Sequence, residues 1–357
     1  MTKEMQLDRA PAGLRTIAQL VDRRLTKLFD DEKPRWERVD DGLIVPFEAL
    51  EKMVASGGKR LRPAFCYYGY LGSGGYGDAP ILVDLLTSLE LLHTFALLHD
   101  DIMDGSSTRR GSSTVHERFI EEHRISSYRG ESRRFGEGIG ILIGDLAFVY
   151  ADMMMEAAPL ATRKIYSELR LEVNIGQYLD LIGTAKGRPT VESAQKVSIY
   201  KSGKYTIERP LQIGASLAGA SLDQMEELSR FGLPLGEAFQ LKDDLLGIFG
   251  DSTITGKPVG DDLREGKPTT LVAMTMDRLT GLAKSEFERL FALDLPNESQ
   301  ILAMMEMIED CGSKAMVEDR VEMLVESSLL ALDECYLLDS AKADLRDLAV
   351  FIASRAL

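Results

Sequence analysis

The chain has 357 residues, 45% of them hydrophobic, and a formal net charge of −15. A chain of this length can bury a core without disulfides, and its acidity argues against general nucleic-acid binding, which depends on basic surfaces. The three cysteines, Cys66, Cys311 and Cys335, are far apart and form no C-x-x-C pair, which argues against a zinc site and favours a reducing compartment. We therefore expect a cytoplasmic protein with no nucleic-acid partner, in which any anion site needs local cations or metal ions.

The N-terminal residues carry mixed charges and lack the apolar core of a signal peptide. The most apolar stretch, residues 81–98, is interrupted by Asp84, Glu90 and His93, whereas a membrane span needs roughly 20 apolar residues with few or no charges. We therefore predict no transmembrane segment and interpret this stretch as a buried helix.

Hydrophobic residues recur at intervals of three and four, which is typical of amphipathic helices. The clearest series is Leu82, Leu85, Leu86, Leu89, Leu92 and Ala96, and similar patterns run through residues 169–181, 224–249, 301–307 and 317–332. Residues 71–80, 121–140 and 250–268 are predicted to be loops because they are rich in glycine, proline or charge. The sequence predicts a single all-α domain over residues 1–357, with a peripheral segment before about residue 42.

A first aspartate cluster follows the apolar stretch. Asp100 and Asp104 are one helical turn apart and Asp101 lies beside them. Three carboxylates repel one another, and magnesium relieves this by binding one or two of them together with water and substrate phosphates. A solvated acidic helix end is the alternative.

A second cluster contains Gln240, Asp243 and Asp244, spaced three and four apart on one helical face and surrounded by apolar residues. An exposed turn is the alternative. Two such clusters in an all-α chain favour facing helices that share metal ions.

Basic residues accompany both clusters. Gly57 and Gly58 precede Lys59, Arg60 and Arg62, where glycines allow close backbone approach and arginines can bind phosphate in a bidentate manner. The alternative is an ordinary basic start of a helix.

Further candidate cations lie close to the clusters or to glycines. His93 lies two helical turns before Asp100 and could donate to a phosphate, although a lone helical histidine is more often a core residue. The other candidates are Arg109, Arg110, Lys204, Lys257 and Lys267. A salt bridge to the aspartates is the alternative role for the two arginines.

Several segments together resemble the trans-isoprenyl (polyprenyl) diphosphate synthases, from about residue 50 to the C-terminus. The resemblance rests on GGKRLRP, LELLHTFALLHDDIMD, TRRGSSTVH, GQYLDL, FQLKDDLLG and GKPVGDDLREGKPTT, in the order and spacing of that family. It implies a bundle of antiparallel helices around one deep cavity, usually in a homodimer. It also implies head-to-tail condensation of isopentenyl diphosphate with an allylic diphosphate, with three magnesium ions per active site when substrate is bound.

The resemblance assigns roles to individual residues. The aspartates of both clusters match metal-binding residues, the first cluster binding the allylic diphosphate through magnesium. Lys59, Arg62, His93 and Arg110 match contacts to isopentenyl diphosphate. The matches to allylic-diphosphate contacts and nearby pocket residues are Arg109, Lys204, Gln240, Lys257, Lys267, Gln177 and Asp180.

The chain departs from the family at two positions. The second motif commonly reads DDxxD, but its last position here is Gly247, so one metal contact is missing or supplied elsewhere, with Asp251 as a candidate. Lys204 is followed by Tyr205 where the family commonly has threonine, which could reshape the allylic pocket.

The expected reaction needs no nucleophilic side chain. Magnesium and cationic groups stabilise the departing allylic diphosphate, and the double bond of isopentenyl diphosphate attacks the allylic cation. A proton is then lost, most simply to the departed diphosphate. The protein positions the substrates and excludes water.

Product length is expected to depend on residues below the first cluster. Ala96 lies one turn before Asp100, about 6 Å deeper along a helix axis, and leaves room for a growing tail. Phe95 is its bulky neighbour. Within the family this combination resembles synthases of the C20 product, geranylgeranyl diphosphate, and the C15 product farnesyl diphosphate is the nearest alternative.

Other functions share part of this pattern. A terpene cyclase shares an aspartate-rich motif and an all-α fold but has no need for the second diphosphate site implied by GGKRLRP, His93 and Arg110. A non-catalytic partner subunit would be expected to have lost aspartates or cations, yet both aspartate pairs are intact.

Overall fold

The computed structural model describes residues 11–77, 79–250 and 258–354. Helices dominate these residues, and the prediction of an all-α fold is confirmed. The α-helices are α1 (Ala12–Glu37), α2 (Ile44–Ala55), α3 (Leu61–Gly72), α4 (Pro80–Met103), α5 (Val115–Ile125), α6 (Ser132–Met153), α7 (Leu160–Lys186), α8 (Val191–Val197), α9 (Arg209–Leu217), α10 (Leu222–Phe249), α11 (Asp261–Arg264), α12 (Thr270–Arg278), α13 (Gly281–Phe291), α14 (Glu298–Asp310), α15 (Ser313–Glu334) and α16 (Asp339–Ala353). A 3₁₀ turn (Asp41–Leu43), a two-stranded hairpin of β1 (Thr108–Arg109) and β2 (Ser112–Ser113), and a π-helix (Ser198–Glu208) complete the elements.

The chain divides into two compact units. The first comprises residues 1–67 and 76–163, and the second comprises residues 68–75 and 164–357. The division falls within α3 and α7. The expectation of one domain with a peripheral N-terminal segment stays a prediction.

The core of the first unit forms around α4. Leu82, Leu85, Leu86, Leu89 and Leu92 are 0–1% exposed, as their spacing predicts. By length and composition alone, α4 is the one described helix that could cross a membrane. Most of its apolar window is buried within the protein, as in the core helix of a soluble protein.

The N-terminal helix α1 belongs to this first unit. Its apolar face is buried, and Arg24 Nε contacts Asp84 Oδ1 on α4 at 2.6 Å. Near its C-terminal end, Glu32 accepts hydrogen bonds from Tyr150 Oη at 2.6 Å and Trp36 Nε1 at 3.0 Å. Polar contacts therefore fix α1 at its middle, against α4, and near its C-terminal end, against α6.

The prediction of a loop over residues 121–140 is wrong. Helix α5 continues to Ile125 and α6 begins at Ser132. The glycines allow close packing: a Cβ at Gly136 would lie 2.4 Å from Ile120 Cγ1, and one at Gly140 would lie 2.8 Å from Ile102 Cδ1. These glycines lie inside a helix because neighbouring helices leave no space for a side chain.

The second unit is built around α10. Ser221 forms a capping box at its start, and the helix packs against the π-helix and α15. A Cβ at Gly236 on α10 would lie 2.5 Å from the Cα of Gly203 on the π-helix. This close approach fixes the π-helix against the helix that carries the second aspartate cluster.

Candidate active site

The first aspartate cluster ends α4. Asp101 is 2% exposed, Asp100 is half-buried, and Asp104 is the C-cap residue. The C-terminal end of a helix carries partial negative charge, so three carboxylates there are unfavourable without nearby cations. The cluster therefore needs cations from elsewhere in the chain or from solution.

The β1–β2 hairpin supplies one such cation. Its loop residues Arg110 and Gly111 have φ values of 54° and 75°, the left-handed backbone of a tight two-residue turn. Arg109 Nε donates to Asp101 Oδ1 at 2.7 Å, and its Nη2 lies 3.5 Å from Asp100 Oδ2. Arg109, a predicted contact of the allylic diphosphate, therefore lies at the aspartate cluster. It also forms the salt bridge to the aspartates that was the alternative role for this residue.

A group of arginines surrounds His93 on the same unit. Desolvation of the ring, together with the positive charges of Arg62, Arg110, Arg109 and Arg60, lowers the pKa of His93 well below its usual value. A neutral histidine among guanidinium groups can donate a hydrogen bond to an anion without adding charge. Arg62, His93 and Arg110, three of the predicted isopentenyl diphosphate contacts, therefore lie in one positive environment, and the fourth, Lys59, is half-buried in the same GGKRLRP segment.

Phe95, one of the two predicted chain-length residues, forms an aromatic layer with His99 and Phe148. Phe95 lies 4.6 Å from the His99 ring and 4.9 Å from the Phe148 ring, measured between centroids. Gly144 allows His99 to approach α6, because a Cβ there would lie 2.4 Å from the imidazole. Ala96 is half-buried beside this layer. Phe148 and His99 were not assigned to it from the sequence.

The second aspartate cluster lies near the end of α10. Gln240 Nε2 donates to Asp244 Oδ1 at 2.8 Å, and Asp243 is half-buried beside it. Burial raises the pKa of Asp244 to about 7, and the charges of Asp262 and Asp243 act in the same direction, whereas the Gln240 hydrogen bond opposes it. Crowded carboxylates of this kind favour either a bound proton or a cation.

Asp262 occupies the space beside Gly247. A Cβ at Gly247 would lie 2.1 Å from Asp262 Oδ2, so any larger residue would displace that carboxylate. The predicted Lys267 is close by, with its Nζ 3.9 Å from Asp262 Oδ1 and 2.8 Å from Glu265 Oε2. Asp262 therefore brings a carboxylate beside Gly247, the position where the second motif commonly has its third aspartate. Asp251 and Lys257 lie outside the described residues.

Two lysines of the π-helix have different partners. Lys201 Nζ donates to Asp180 Oδ2 at 2.5 Å, whereas Lys204 Nζ donates to Glu172 at 2.8 Å and lies 3.4 Å from Glu208. The predicted pocket residue Asp180 is thus joined to Lys201, which the sequence analysis did not select.

The GQYLDL segment approaches the π-helix closely. A Cβ at Gly176 would lie 2.3 Å from the Lys201 backbone nitrogen, so its glycine allows this contact. Gln177 is half-buried on the same helix, and Tyr205 is buried in the π-helix.

Oxygen donors at the two clusters suit magnesium, which binds through one or two carboxylates, water and substrate phosphates. Burial first, and then the charges of Asp262 and Asp243, disfavour the ionised form of Asp244, which a divalent cation would stabilise. Within residues 11–77, 79–250 and 258–354, no three His, Cys, Asp or Glu side chains form a group arranged to hold a metal ion.

Comparisons with known proteins show which family this chain resembles. The polyprenyl synthetase family model matches residues 46–308. A geranylgeranyl diphosphate synthase of Sulfolobus acidocaldarius is 31% identical over 71% of this chain and 72% of its own. An octaprenyl diphosphate synthase of Escherichia coli is 31% identical over 78% of this chain and 81% of its own.

A solved structure is also similar. The geranylgeranyl pyrophosphate synthase of Corynebacterium glutamicum, complexed with isoprenyl diphosphate and magnesium, matches with a TM-score of 0.91 and 36% identity over 96% of this chain and 99% of that one. The family model covers well over half of the chain, and the fold agrees throughout. The chain therefore belongs to the polyprenyl synthetase family, as a trans-isoprenyl diphosphate synthase.

Proposed function

We propose that this enzyme condenses isopentenyl diphosphate head to tail with dimethylallyl, geranyl or farnesyl diphosphate to give mainly the C20 product, geranylgeranyl diphosphate. The observation that carries the proposal is the arrangement of charge in the first unit. Arg109 lies at the aspartate cluster, and the charges of Arg62, Arg110, Arg109 and Arg60 act together on His93. The reaction needs places for two diphosphates, and the cations at the aspartate cluster and around His93 support this requirement.

Magnesium is proposed as the metal at both aspartate clusters. Asp100, Asp101 and Asp104 would hold it at the first, and Asp243 and Asp244 at the second, with three ions when substrate is present. When bound, it neutralises the charge of the departing diphosphate. The fit rests on the oxygen donors and on the crowding around Asp244.

The side chains of the protein would perform the remaining tasks. Arg109 would bind the leaving diphosphate near the first cluster. In the second unit, Lys201, which donates to Asp180 Oδ2, would offer a positive charge to a substrate diphosphate. Arg62 and Arg110 would hold isopentenyl diphosphate through charge-assisted hydrogen bonds. Neutral His93 could donate to the same diphosphate. Positioning of this kind converts an encounter in solution into a reaction between oriented groups.

The aromatic layer supports the C20 product. Phe95 packs on Phe148 and His99, whereas the neighbouring Ala96 is small. The layer would stop elongation once the growing tail reached Phe95. Relatives of this chain include both geranylgeranyl and octaprenyl diphosphate synthases, so family membership alone does not fix the product length.

A homodimer is also proposed. Along one face of α7, Leu171, Ile175, Tyr178 and Ile182 are 60%, 52%, 64% and 36% exposed. Large apolar side chains repeated on one helix face are typical of surfaces that a partner covers. A second copy of the chain would bury them.

The test is a sizing of products from labelled isopentenyl diphosphate with each of the three primers and magnesium. A dominant C20 alcohol after dephosphorylation is expected from all of them. A dominant C15 alcohol from the two shorter primers would keep the chemistry and contradict the proposed length limit. Absence of elongation with every primer would favour the non-catalytic partner subunit.

A further inference from the structure

Glu90 is a buried carboxylate that the proposed reaction does not use. It is 4% exposed and lies on α4 three residues before His93. Arg60 Nη1 donates to Glu90 Oε1, and Arg60 is itself 4% exposed. A buried carboxylate is stable only when it is paired. Glu90 and Arg60 therefore form a buried ion pair inside the group of arginines around His93.

Arg60 and Arg110 share an uncommon backbone conformation. Their φ values are 50° and 54°, in the left-handed region that non-glycine residues seldom adopt. Only Ser127 shares it among the other described non-glycine residues. Such conformations persist where surrounding contacts hold them, and they cluster at functional sites.

The side chains of both arginines converge with Glu90 at Gly58. A Cβ built on Gly58 would lie 3.4 Å from Arg60 Nη1, 3.5 Å from Arg110 Nη2 and 3.6 Å from Glu90 Oε1. Two guanidinium groups and one carboxylate thus surround a single point. The two guanidinium groups carry like charges and repel each other when they lie close together. The Glu90 carboxylate offsets this repulsion and so allows both groups to stay near Gly58.

The charge of Glu90 also acts strongly on Arg110. Partial loss of hydration lowers the pKa of Arg110, and Glu90 is the charged neighbour with the largest effect on it, acting to raise that pKa. The other contact of Arg110 is a hydrogen bond from its Nη1 to Ser56 Oγ at 3.2 Å. Asp22 supports Arg60 from its opposite side, at 2.8 Å from Nη2, so Arg60 keeps one partner if Glu90 is neutralised.

We propose that Glu90 is a positioning residue for the isopentenyl diphosphate subsite, acting through Arg60 and Arg110. It holds Arg110 at the subsite and fixes, through Arg60, the turn that carries Lys59 and Arg62. The proposal rests on the proposed function, because that function assigns these cations to isopentenyl diphosphate. Glu90 itself would not contact substrate, since its carboxylate would repel a diphosphate.

The variants are Glu90→Gln, which keeps the shape and removes the charge, and Glu90→Asp, which keeps the charge on a shorter side chain. Asp22→Asn is the matched comparison, since Asp22 pairs with Arg60 but is not one of the charges with the largest effects on Arg110. Steady-state kinetics would be measured with farnesyl and isopentenyl diphosphates in turn. Calorimetric titration of isopentenyl diphosphate into metal-free protein would measure the subsite without any turnover.

For Glu90→Gln we expect KM for isopentenyl diphosphate to rise about tenfold to a hundredfold, the range for a displaced positioning contact. The kcat and the KM for farnesyl diphosphate should change less than about twofold, and Glu90→Asp should recover part of the loss. The calorimetric affinity should fall in parallel, whereas Asp22→Asn, which weakens the support of Arg60 alone, should lose clearly less affinity than Glu90→Gln.

Equal losses in kcat and both KM values, or an unchanged affinity in the calorimeter, would overturn the assignment. If Glu90→Gln does not fold, Glu90→Asp decides alone: wild-type affinity for isopentenyl diphosphate in that variant contradicts the positioning role. Calorimetry measures binding without any reaction. A wild-type protein that binds isopentenyl diphosphate but does not condense it would therefore refute the proposed function. The calorimetric affinities of the variants would still test the positioning role of Glu90.

Discussion

Replacing Gly247 by alanine tests the relationship between the second aspartate cluster and Asp262. Alanine inside a helix is normally favoured over glycine by about 0.5–1 kcal/mol. Here the new Cβ would lie 2.1 Å from Asp262 Oδ2, although real Cβ contacts essentially never fall below 3.0 Å. Overpacking of this kind typically costs about 1–3 kcal/mol, so we expect Gly247→Ala to lower the free energy of unfolding by ~1–2 kcal/mol.

Gly138 provides the matched control. It lies inside α6, and a Cβ there would meet no heavy atom within 4 Å. Gly138→Ala should therefore be neutral or stabilising by up to about 1 kcal/mol. Urea unfolding of both variants in EDTA would measure the difference.

A double-mutant cycle with Asp262→Ala identifies the cause. If the carboxylate is the obstacle, Gly247→Ala should cost much less in the Asp262→Ala background, with a coupling energy of about 1–2 kcal/mol. If Gly247→Ala is as stable as Gly138→Ala, or if its cost is the same with and without the Asp262 carboxylate, the steric argument is refuted.

Three further predictions concern single side chains. The pKa of Asp244 is about 7 in the folded protein, against an ordinary value near 3.8. Metal-free protein should therefore lose stability, by up to a few kcal/mol, as the pH rises from about 4 to 8. Urea unfolding at several pH values should show that Asp244→Asn flattens this loss. Lys201→Met should lower kcat/KM for the allylic primer with little change in the free energy of unfolding. Lys204→Met should instead destabilise the protein, because it removes a partner of buried Glu172 and Glu208. The opposite pattern would contradict the assignment of Lys201. Phe95→Ala should lengthen the products by one or more C5 units, and unchanged products in a sizing assay would place the length limit elsewhere.

The sequence was sufficient for the helices with strong apolar periodicity. The pattern in residues 224–249 predicts almost the whole of α10, and the leucines of residues 82–92 are the buried face of α4. Such helices bury a continuous stripe, so the pattern directly reflects the packing. Glycine was a poor guide in α6, because Gly136 and Gly140 allow helices to pack closely and do not mark a loop.

Parts of the candidate site depended on contacts that spacing does not encode. The motif GDDLREGK was recognised, but its Asp262 was not selected, since only the packing of α11 against Gly247 brings that carboxylate to the second cluster. In the π-helix (Ser198–Glu208), Lys201 pairs with Asp180, whereas Lys204 pairs with Glu172 and Glu208. A reading based on ordinary helical spacing cannot separate Lys201 from Lys204.

The arginines also have contacts that the sequence alone does not predict. Arg60, in the middle of GGKRLRP, has the same charge as its neighbours but lies in a buried pair with Glu90. Composition predicts a positive segment but does not indicate that Arg60 is buried and has a left-handed backbone, with a φ value of 50°. The tight hairpin likewise sends Arg109 to the aspartates and Arg110 toward Gly58.

The most direct test of magnesium-dependent prenyl condensation uses the purified full chain, labelled isopentenyl diphosphate and farnesyl diphosphate. Metal would be removed with EDTA and magnesium then restored in steps. We predict no label in the organic product without metal and a single C5 addition, to the C20 diphosphate, once magnesium is restored. Failure to incorporate label at any magnesium concentration, in protein shown to be folded, would contradict the central claim.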